Sequence, residues 1–421
     1  MNRRQFFGLS TGLLLPRWSW ADASTDRKFI FVFCDGGWDT TYVFAPSALD
    51  NASLDTESNV TVAEEGGIRF VDSPSRPSVR SFMENHGDIT CVLNGIEVPS
   101  VTHDRCRRLT MTNVVEGNAD DWAAILAGHG SGDLLLPHMV MSGPSYSHEF
   151  TSRVIRVGTA EQFPNLISGE ALMNTDSSVS APKESSELLG DAYLRGRAAL
   201  FEAEASRGWQ SRLGGGISSV LGHMEEVSTL TDELAFSQSS GMEYCGDDPI
   251  GSFISLMNCF ELGITRSGII EYTGWCQNGW DTHADNAMQG THFEELFEIL
   301  GLLVDMLSER AGSSGGTMLD EVTIVVLSEM GRCPQLNVSM GKDHWTYTSA
   351  MFVGAGIQGG QVIGQMDDIF EGSPIDLASG DVTDSGVRVD SGHLGATLLA
   401  LGDVDPGPYV GHDEIIEALL S

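Results

Sequence analysis

Basic residues are scarce in this sequence. Its 421 residues include 23 Lys and Arg against 59 Asp and Glu, which gives a formal net charge of −36. A surface this acidic repels a phosphate backbone, so we expect no nucleic-acid partner. An anion that binds this chain needs a locally positive pocket, and a bound metal ion is a simple way to make one.

Several common sequence signatures are also missing. Beyond the N-terminal leader, no stretch approaches 18 uninterrupted apolar residues, so we expect no transmembrane segment in the mature chain. The seven cysteines form no Cys-x-x-Cys pair, which gives a zinc ribbon no support. Their odd number leaves at least one cysteine free or paired outside the chain. Beyond the leader the Gly-x-Ser-x-Gly pattern occurs only at 312–316, in a glycine-rich run that follows a predicted helix and not a strand, so we recognise no nucleophile elbow.

Residues 1–23 resemble a twin-arginine export signal. Arg3 and Arg4 precede a short apolar run, and Ala21-Asp22-Ala23 has the small-x-small pattern of a cleavage site. We therefore predict that residues 24–421 are the mature protein and that it is exported to the periplasm or the cell exterior.

The mature chain alternates predicted strands with predicted helices. Apolar runs predict buried strands at 28–34, 89–96, 264–275, 322–327 and 350–353. Apolar residues at helical spacing predict helices at 291–310 and near 393–401. This order favours an α/β fold in which helices cover both sides of a mainly parallel sheet.

Residues 114–250 are less periodic than the rest of the chain. They contain a Gly/Ser-rich joint near 212–219 and helical patterns near 187–206 and 220–235. We interpret the region as a helical cap or insertion that shapes access to a site.

Polar residues follow the predicted strands where each one ends, and ligands of such sheets bind at that edge. These residues are Asp35 and Asp39 after the first strand, Thr102 and His103 after the second, Asp281 and His283 after the third, Glu329 after the fourth, and Asp343 and His344 in a glycine-flanked loop. Carboxylates and imidazoles bind divalent cations. We therefore predict a divalent-metal site, of zinc, calcium or magnesium type, with Thr102 as a metal-activated nucleophile.

Each of these residues alone has another interpretation. An aspartate after a strand is often a helix N-cap or a turn residue, which applies to Asp35 and Asp39. His283 and His344 are also consistent with histidines satisfied inside the core, and Glu329 with an ion pair to Arg332. The set as a whole favours the metal site.

Three arginines stand close to Thr102 in this acidic chain. On a helix, Arg105 and Arg108 share a face while Arg107 points elsewhere. Arg105 near a helix N-terminus suits a phosphate or sulfate oxygen, so we predict a catalytic role for it beside Thr102 and His103. Pairing of the arginines with surface carboxylates is the alternative.

The runs FVFCDGGWDT, WDTHADN, VVLSEMGRCPQ, GKDHW and HLGATLLALGDVDP occur in this order behind the leader. Over residues 28–110 and 264–405 the chain resembles the uncharacterised sulfatase-like family of exported bacterial proteins, which belongs to the alkaline phosphatase superfamily. The resemblance implies an alkaline-phosphatase-like three-layer sandwich.

The resemblance also implies roles for individual residues. Asp35 or Asp39 corresponds to the first metal ligand, Thr102 to the nucleophilic hydroxyl, and Asp281 with His283 to a metal-binding pair. Glu329 stands where phosphatases and sulfatases carry the Asp of an Asp-His-Gly motif.

The sequence departs from this pattern at two points. Met330 takes the place of the histidine in that motif, and a thioether is a poor ligand for a hard cation, so Asp343 and His344 are candidates to replace it. No Cys-x-Pro-x-Arg motif is present to supply a formylglycine, which disfavours sulfatase chemistry. Arg332 and His393 complete the set as further binding candidates.

The leading hypothesis is an exported metal-dependent hydrolase that acts on a phosphate or related ester of a small molecule or polymer. The alternative is a catalytically degenerate binding or assembly protein of the same fold. A phosphotransferase or mutase would differ only in the acceptor.

Overall fold

The computed structural model describes residues 27–130, 134–158, 184–203 and 248–421. The leader at 1–23, the joint near 212–219 and the helix near 220–235 lie outside these residues.

The described residues form strands and α-helices joined by short 3₁₀ turns. The strands are β1 (Lys28–Phe33), β2 (Thr61–Glu65), β3 (Ile68–Asp72), β4 (Thr90–Glu97), β5 (His138–Val140), β6 (Val154–Arg156), β7 (Ser267–Glu271), β8 (Val322–Leu327), β9 (Gly331–Leu336), β10 (Lys342–Trp345), β11 (Tyr347–Gly354) and β12 (Gln361–Ile363). The helices are α1 (Pro77–His86), α2 (His103–Thr112), α3 (Trp122–Gly128), α4 (Glu184–Ala203), α5 (Pro249–Glu261), α6 (Met288–Glu309), α7 (Ser391–Leu401) and α8 (Gly407–Val410).

Eight strands form the central sheet, in the order β12-β4-β11-β8-β1-β7-β5-β6. Neighbouring strands are parallel except at β11, which is antiparallel to both β4 and β8. The central strands β1 and β8 are continuous apolar runs in which every residue is buried, as expected for strands covered on both faces.

Hydrophobic clusters cover both faces of this sheet. Ile30 and Val32 of β1 belong to one cluster, which includes residues of α1, α5 and α6. Phe29 and Phe31 point to the opposite face and belong to a second cluster, which includes residues of α3 and α7. The predicted three-layer α/β architecture with a mainly parallel sheet is confirmed.

The topology brings the polar loops to one edge of the sheet. Strands β1, β4, β7 and β8 run in the same direction and end there, while the antiparallel β11 begins there. The loops that follow β1, β4, β7 and β8 therefore meet at one edge of the sheet, together with the β9–β10 hairpin that precedes β11.

The chain also forms elements that periodicity did not reveal. Strands β5 and β6 belong to the central sheet, although they fall within 114–250, where we expected a cap or insertion. Each has only three residues, which is too few for a recognisable pattern. The small sheets β2–β3 and β9–β10 were missed as well, because their strands are partly exposed and carry mixed residues.

In the part of the chain that the structure describes, no helix is both long enough and apolar enough to cross a membrane.

His292 of α6 connects the core to the loop that carries the site residues. Its Nδ1 accepts a hydrogen bond of 2.8 Å from the backbone N–H of Trp275, and its ring packs against Trp280 at 5.1 Å between centroids. Burial lowers the pKa of His292 to about 4, so the ring is neutral in the folded protein near neutral pH.

We predict that His292 makes the protein less stable as the pH falls from 6.5 toward 4. In that range the unfolded chain binds a proton at this histidine and the folded chain does not, so the free energy of unfolding falls by up to about 1.4 kcal/mol per pH unit from this group. Urea unfolding of the wild type and of His292→Asn, whose Oδ1 can still accept from Trp275, measures the effect. The variant should show a shallower pH slope, and an unchanged slope would refute the assignment.

Candidate metal centre

Three histidines and one aspartate meet at the carboxyl edge of the sheet: Asp281 and His283 lie in the loop between β7 and α6, His103 is the first residue of α2, and His344 lies in β10. His283 Nε2 lies 2.8 Å from His344 Nε2, and these two nitrogens lie 3.1 and 3.2 Å from Asp281 Oδ1. His103 Nε2 lies 3.4 Å from the other carboxylate oxygen of Asp281. The structure thus brings together four residues that the sequence analysis proposed, with Asp281 between the three rings.

The second nitrogen of each ring faces a group that can only accept a hydrogen bond. His103 Nδ1 lies 2.8 Å from Glu329 Oε1, His283 Nδ1 lies 2.9 Å from Asp343 Oδ1, and His344 Nδ1 lies 2.7 Å from the carbonyl oxygen of Val101. A neutral imidazole has one N–H, so in each ring the proton belongs on Nδ1 and Nε2 keeps its lone pair.

In rings that are neutral and carry their proton on Nδ1, the inward atoms are all electron donors. Three Nε2 lone pairs and a carboxylate repel one another at these distances unless a cation lies among them. Histidines that bind metals characteristically donate their other N–H to a carboxylate or carbonyl, as these three do. The ligand atoms of His103, Asp281 and His344 lie within 4.8 Å of one another, so this group can hold a metal ion.

Glu329 lies behind His103 and is completely buried. Its carboxylate accepts the backbone N–H of Gly36 at 2.9 and 3.1 Å. The hydrogen bond from His103 to Glu329 is the main reason that the pKa of His103 is raised. Gly36 has φ of +124°, and a Cβ there would lie 2.6 Å from the backbone nitrogen of Asp281, so only glycine fits between Glu329 and Asp281.

Arg332 contacts Asp281 and is also completely buried. Its guanidinium donates to Asp281 Oδ1 at 2.6 Å and to the carbonyl oxygens of Gly37 and Trp280 at 2.8 and 3.1 Å. Burial would raise the pKa of Asp281, but the hydrogen bond and charge of Arg332 outweigh it and lower that pKa to about 2. Asp281 is therefore an anion at physiological pH.

The two aspartates after β1 lie against basic side chains rather than among the histidines. Both carboxylate oxygens of Asp35 accept hydrogen bonds from Arg107, through Nε and, at 2.8 Å, through an Nη. Asp39 is buried and forms an ion pair of 2.8 Å with Lys342 Nζ. Each carboxylate thus already has a cationic partner.

The remaining predicted residues occupy different positions. Thr102 is the exposed N-cap residue of α2, and Arg105 is exposed on the same helix. His393 lies at the N-terminus of α7, where its Nδ1 is 2.7 Å from Asp390 Oδ1. Met330, which takes the place of a ligand in the family pattern, is buried in a small cluster with Val98, Cys106 and Leu109.

A polar cavity of about 450 Å³ lies beside Asp35 and Arg107 and was not predicted from the sequence. It is lined by Asp35, Arg107, Gly143, Pro144, Ser145, Tyr146, Arg156 and Glu271. We expected Arg107 to point away from the helix face that Arg105 and Arg108 share, and did not assign it to the site. Its spacing of four residues from His103 on a helix was the signal that could have placed it there.

Comparisons with known proteins found a matching family model and several similar solved structures. Residues 267–398 match the family described as "Protein of unknown function (DUF1501)", a stretch that contains Asp281, His283 and His344. No curated protein matches the sequence.

Two similar solved structures cover most of both chains. The lipoteichoic acid synthase LtaP from Listeria monocytogenes has 9% identity and a TM-score of 0.41, over 96% of this chain and 78% of its own. The PsFucS1 sulfatase from Pseudoalteromonas sp. has 11% identity and a TM-score of 0.40, over 95% and 73%. At these identities, the matches assign no role to any individual side chain of this protein.

We predict that the buried pair Asp39–Lys342 stabilises the hairpin that carries His344. Lys342→Met leaves a buried carboxylate without its cation and should lower the free energy of unfolding by about 3–5 kcal/mol. The double variant Asp39→Asn with Lys342→Met should recover part of that loss, and urea unfolding measures both. Arg388→Met, which breaks the more exposed pair with Glu371, is the control and should cost less than about 1 kcal/mol. Equal losses in the two single variants would contradict the prediction.

Proposed function

We propose that this protein is a metal-dependent hydrolase of phosphate or related esters. The observation that carries the proposal is the convergence of three histidine Nε2 atoms on Asp281, with each Nδ1 already committed to an outer acceptor. That arrangement supports a cation site at the edge of the sheet where ligands of such folds bind.

The donor set favours zinc over calcium or magnesium. His103, His283 and His344 would contribute nitrogen and Asp281 oxygen, a combination that suits Zn²⁺, whereas Ca²⁺ and Mg²⁺ prefer oxygen ligands. When bound, such an ion polarises an ester oxygen and lowers the pKa of a hydroxyl or water beside it.

Glu329, Asp343 and Val101 orient the ligands in this proposal. Glu329 and Asp343, which the sequence analysis assigned as ligands, would act through His103 and His283 by fixing the ring orientation and the tautomer. The loss of a histidine at Met330 is compensated by His344, whose Nε2 reaches Asp281.

Thr102 is the proposed nucleophile. It is the N-cap residue of α2 and immediately precedes His103, yet its hydroxyl makes no capping hydrogen bond and lies 3.3 Å from Ser100 Oγ. The exposed hydroxyl is therefore accessible, and the N-terminus of α2 favours the negative charge that develops on attack.

Export is part of the proposal. The first 23 residues supply the twin-arginine leader, and the substrate would be a small-molecule or polymer ester in the periplasm or outside the cell. Cys276 is disulfide-bonded, which suits an oxidising compartment.

The test uses the mature protein, with its metal content measured by mass spectrometry, against aryl phosphate, phosphodiester and aryl sulfate substrates. We predict hydrolysis that disappears on chelation and returns with Zn²⁺. Thr102→Ala should lower kcat/KM by about 100-fold or more, and Thr102→Ser should retain most of it. Thr61→Ala, at an exposed threonine of β2, is the matched control.

Two outcomes would contradict the proposal in different ways. A protein that binds a metal and hydrolyses none of these esters would favour the alternative, a binding or assembly protein. Full activity in Thr102→Ala would remove Thr102 as the nucleophile and favour attack by water.

A further inference from the structure

We propose that the centre holds one metal ion per chain and that the guanidinium of Arg107 supplies the second positive charge for the anionic group of the ester. This inference rests on the proposed function, because it assigns the substrate contacts of the same site.

The contacts of Asp35 support a single ion. Arg107 donates to both of its carboxylate oxygens in a fork, so each oxygen of the predicted first metal ligand already accepts an N–H from this one cation. In the part of the chain that the structure describes, the residues that come close enough to share an ion are His103, Asp281 and His344, with His283 beside them. A second ion would need Asp35 as a ligand, and the guanidinium of Arg107 already occupies that carboxylate.

Helix α2 places Arg107 next to the metal centre. Arg107 follows His103 by four residues, so the two side chains emerge from the same face of the helix with Cβ atoms about 5–6 Å apart. The pKa of Arg107 is raised, chiefly by its hydrogen bond to Asp35, so its charge persists at every pH at which the protein works.

Three N–H groups of Arg107 are engaged by carboxylates. Two go to Asp35, and the third goes to Asp104 at 2.8 Å. A guanidinium has five N–H groups in one plane, so these contacts fix the plane and leave donors for a ligand. An arginine held in this way loses little conformational entropy when it binds an anion.

Arg107 is also one of the residues that line the polar cavity. Asp35, Tyr146, Arg156 and Glu271 line it as well. An ester whose anionic group lies between the metal centre and Arg107 would thus extend its remaining part into this cavity. Arg107 would bind the charged group in both the substrate and the transition state, where the charge on the transferred oxygens is concentrated.

The experiment compares Arg107→Met and Arg107→Lys with the wild type. Arg69→Met, at an exposed arginine of β3, is the matched control. Metal content per chain is measured by mass spectrometry after dialysis, binding of inorganic phosphate to the zinc-loaded protein by calorimetry, and kcat/KM on the best ester of the substrate panel.

We expect one zinc per wild-type chain and a phosphate affinity at least tenfold lower in Arg107→Met. We expect kcat/KM to fall by about 100-fold or more in that variant, because an aligned donor to a developing charge is lost. Arg107→Lys keeps the charge but cannot donate two parallel hydrogen bonds, so its phosphate affinity and kcat/KM should lie between those of the wild type and Arg107→Met. Arg69→Met should match the wild type.

Two zinc ions per wild-type chain, or a phosphate affinity in Arg107→Met equal to that of Arg69→Met, would overturn this inference. These readouts do not require turnover. A wild type that binds zinc and phosphate through Arg107 but hydrolyses no ester would sink the proposed function and leave the anion site standing.

Discussion

The buried guanidinium of Arg332 is the constraint on which the rest of the site depends. It donates to carbonyl oxygens of Gly37, Trp280 and Lys342 and to the carboxylate of Asp281. These groups belong to three segments that are far apart in the sequence: the loop after β1, the loop after β7 and the strand β10. A buried cation is tolerated only when such partners surround it, so the segments must keep their relative positions. Asp281, His283 and His344 meet because of that requirement.

Acidic and basic side chains are paired around the site, although the chain as a whole is strongly acidic. Arg107 faces Asp35, Lys342 faces Asp39, and Arg332 faces Asp281. The first two aspartates are neutralised by one cationic partner each. Asp281 differs, because three imidazole lone pairs approach it as well. This difference is the reason that we propose a metal ion at Asp281.

The sequence predicted where the polar residues meet better than how each side chain is oriented there. Apolar runs identified β1, β4, β8 and β11, and the parallel arrangement then placed the polar residues that follow them at one edge. Strands β5 and β6 were not predicted, because a strand of three residues is too short to show an alternating pattern. These strands and the loops after them bring Tyr146 and Arg156 to the cavity.

The roles depend on which atom of a side chain faces the site, and the sequence does not encode that locally. Glu329 and Asp343 lie close to the histidines but contact Nδ1, on the outer side of each ring. Asp35 pairs with Arg107 and does not face the histidines. Arg107 is 72 positions away in the sequence, and the packing of α2 at the edge of the sheet brings it near. His344 was suggested as a replacement ligand, and the β9–β10 hairpin brings its Nε2 close to Asp281.

Anomalous X-ray diffraction from crystals grown with zinc, recorded on both sides of the zinc absorption edge, tests the central claim most directly. We predict one strong anomalous peak per chain at about 2.0–2.2 Å from the Nε2 atoms of His103, His283 and His344 and from an oxygen of Asp281. An absence of anomalous density among these four side chains, with ions bound elsewhere, would contradict the account.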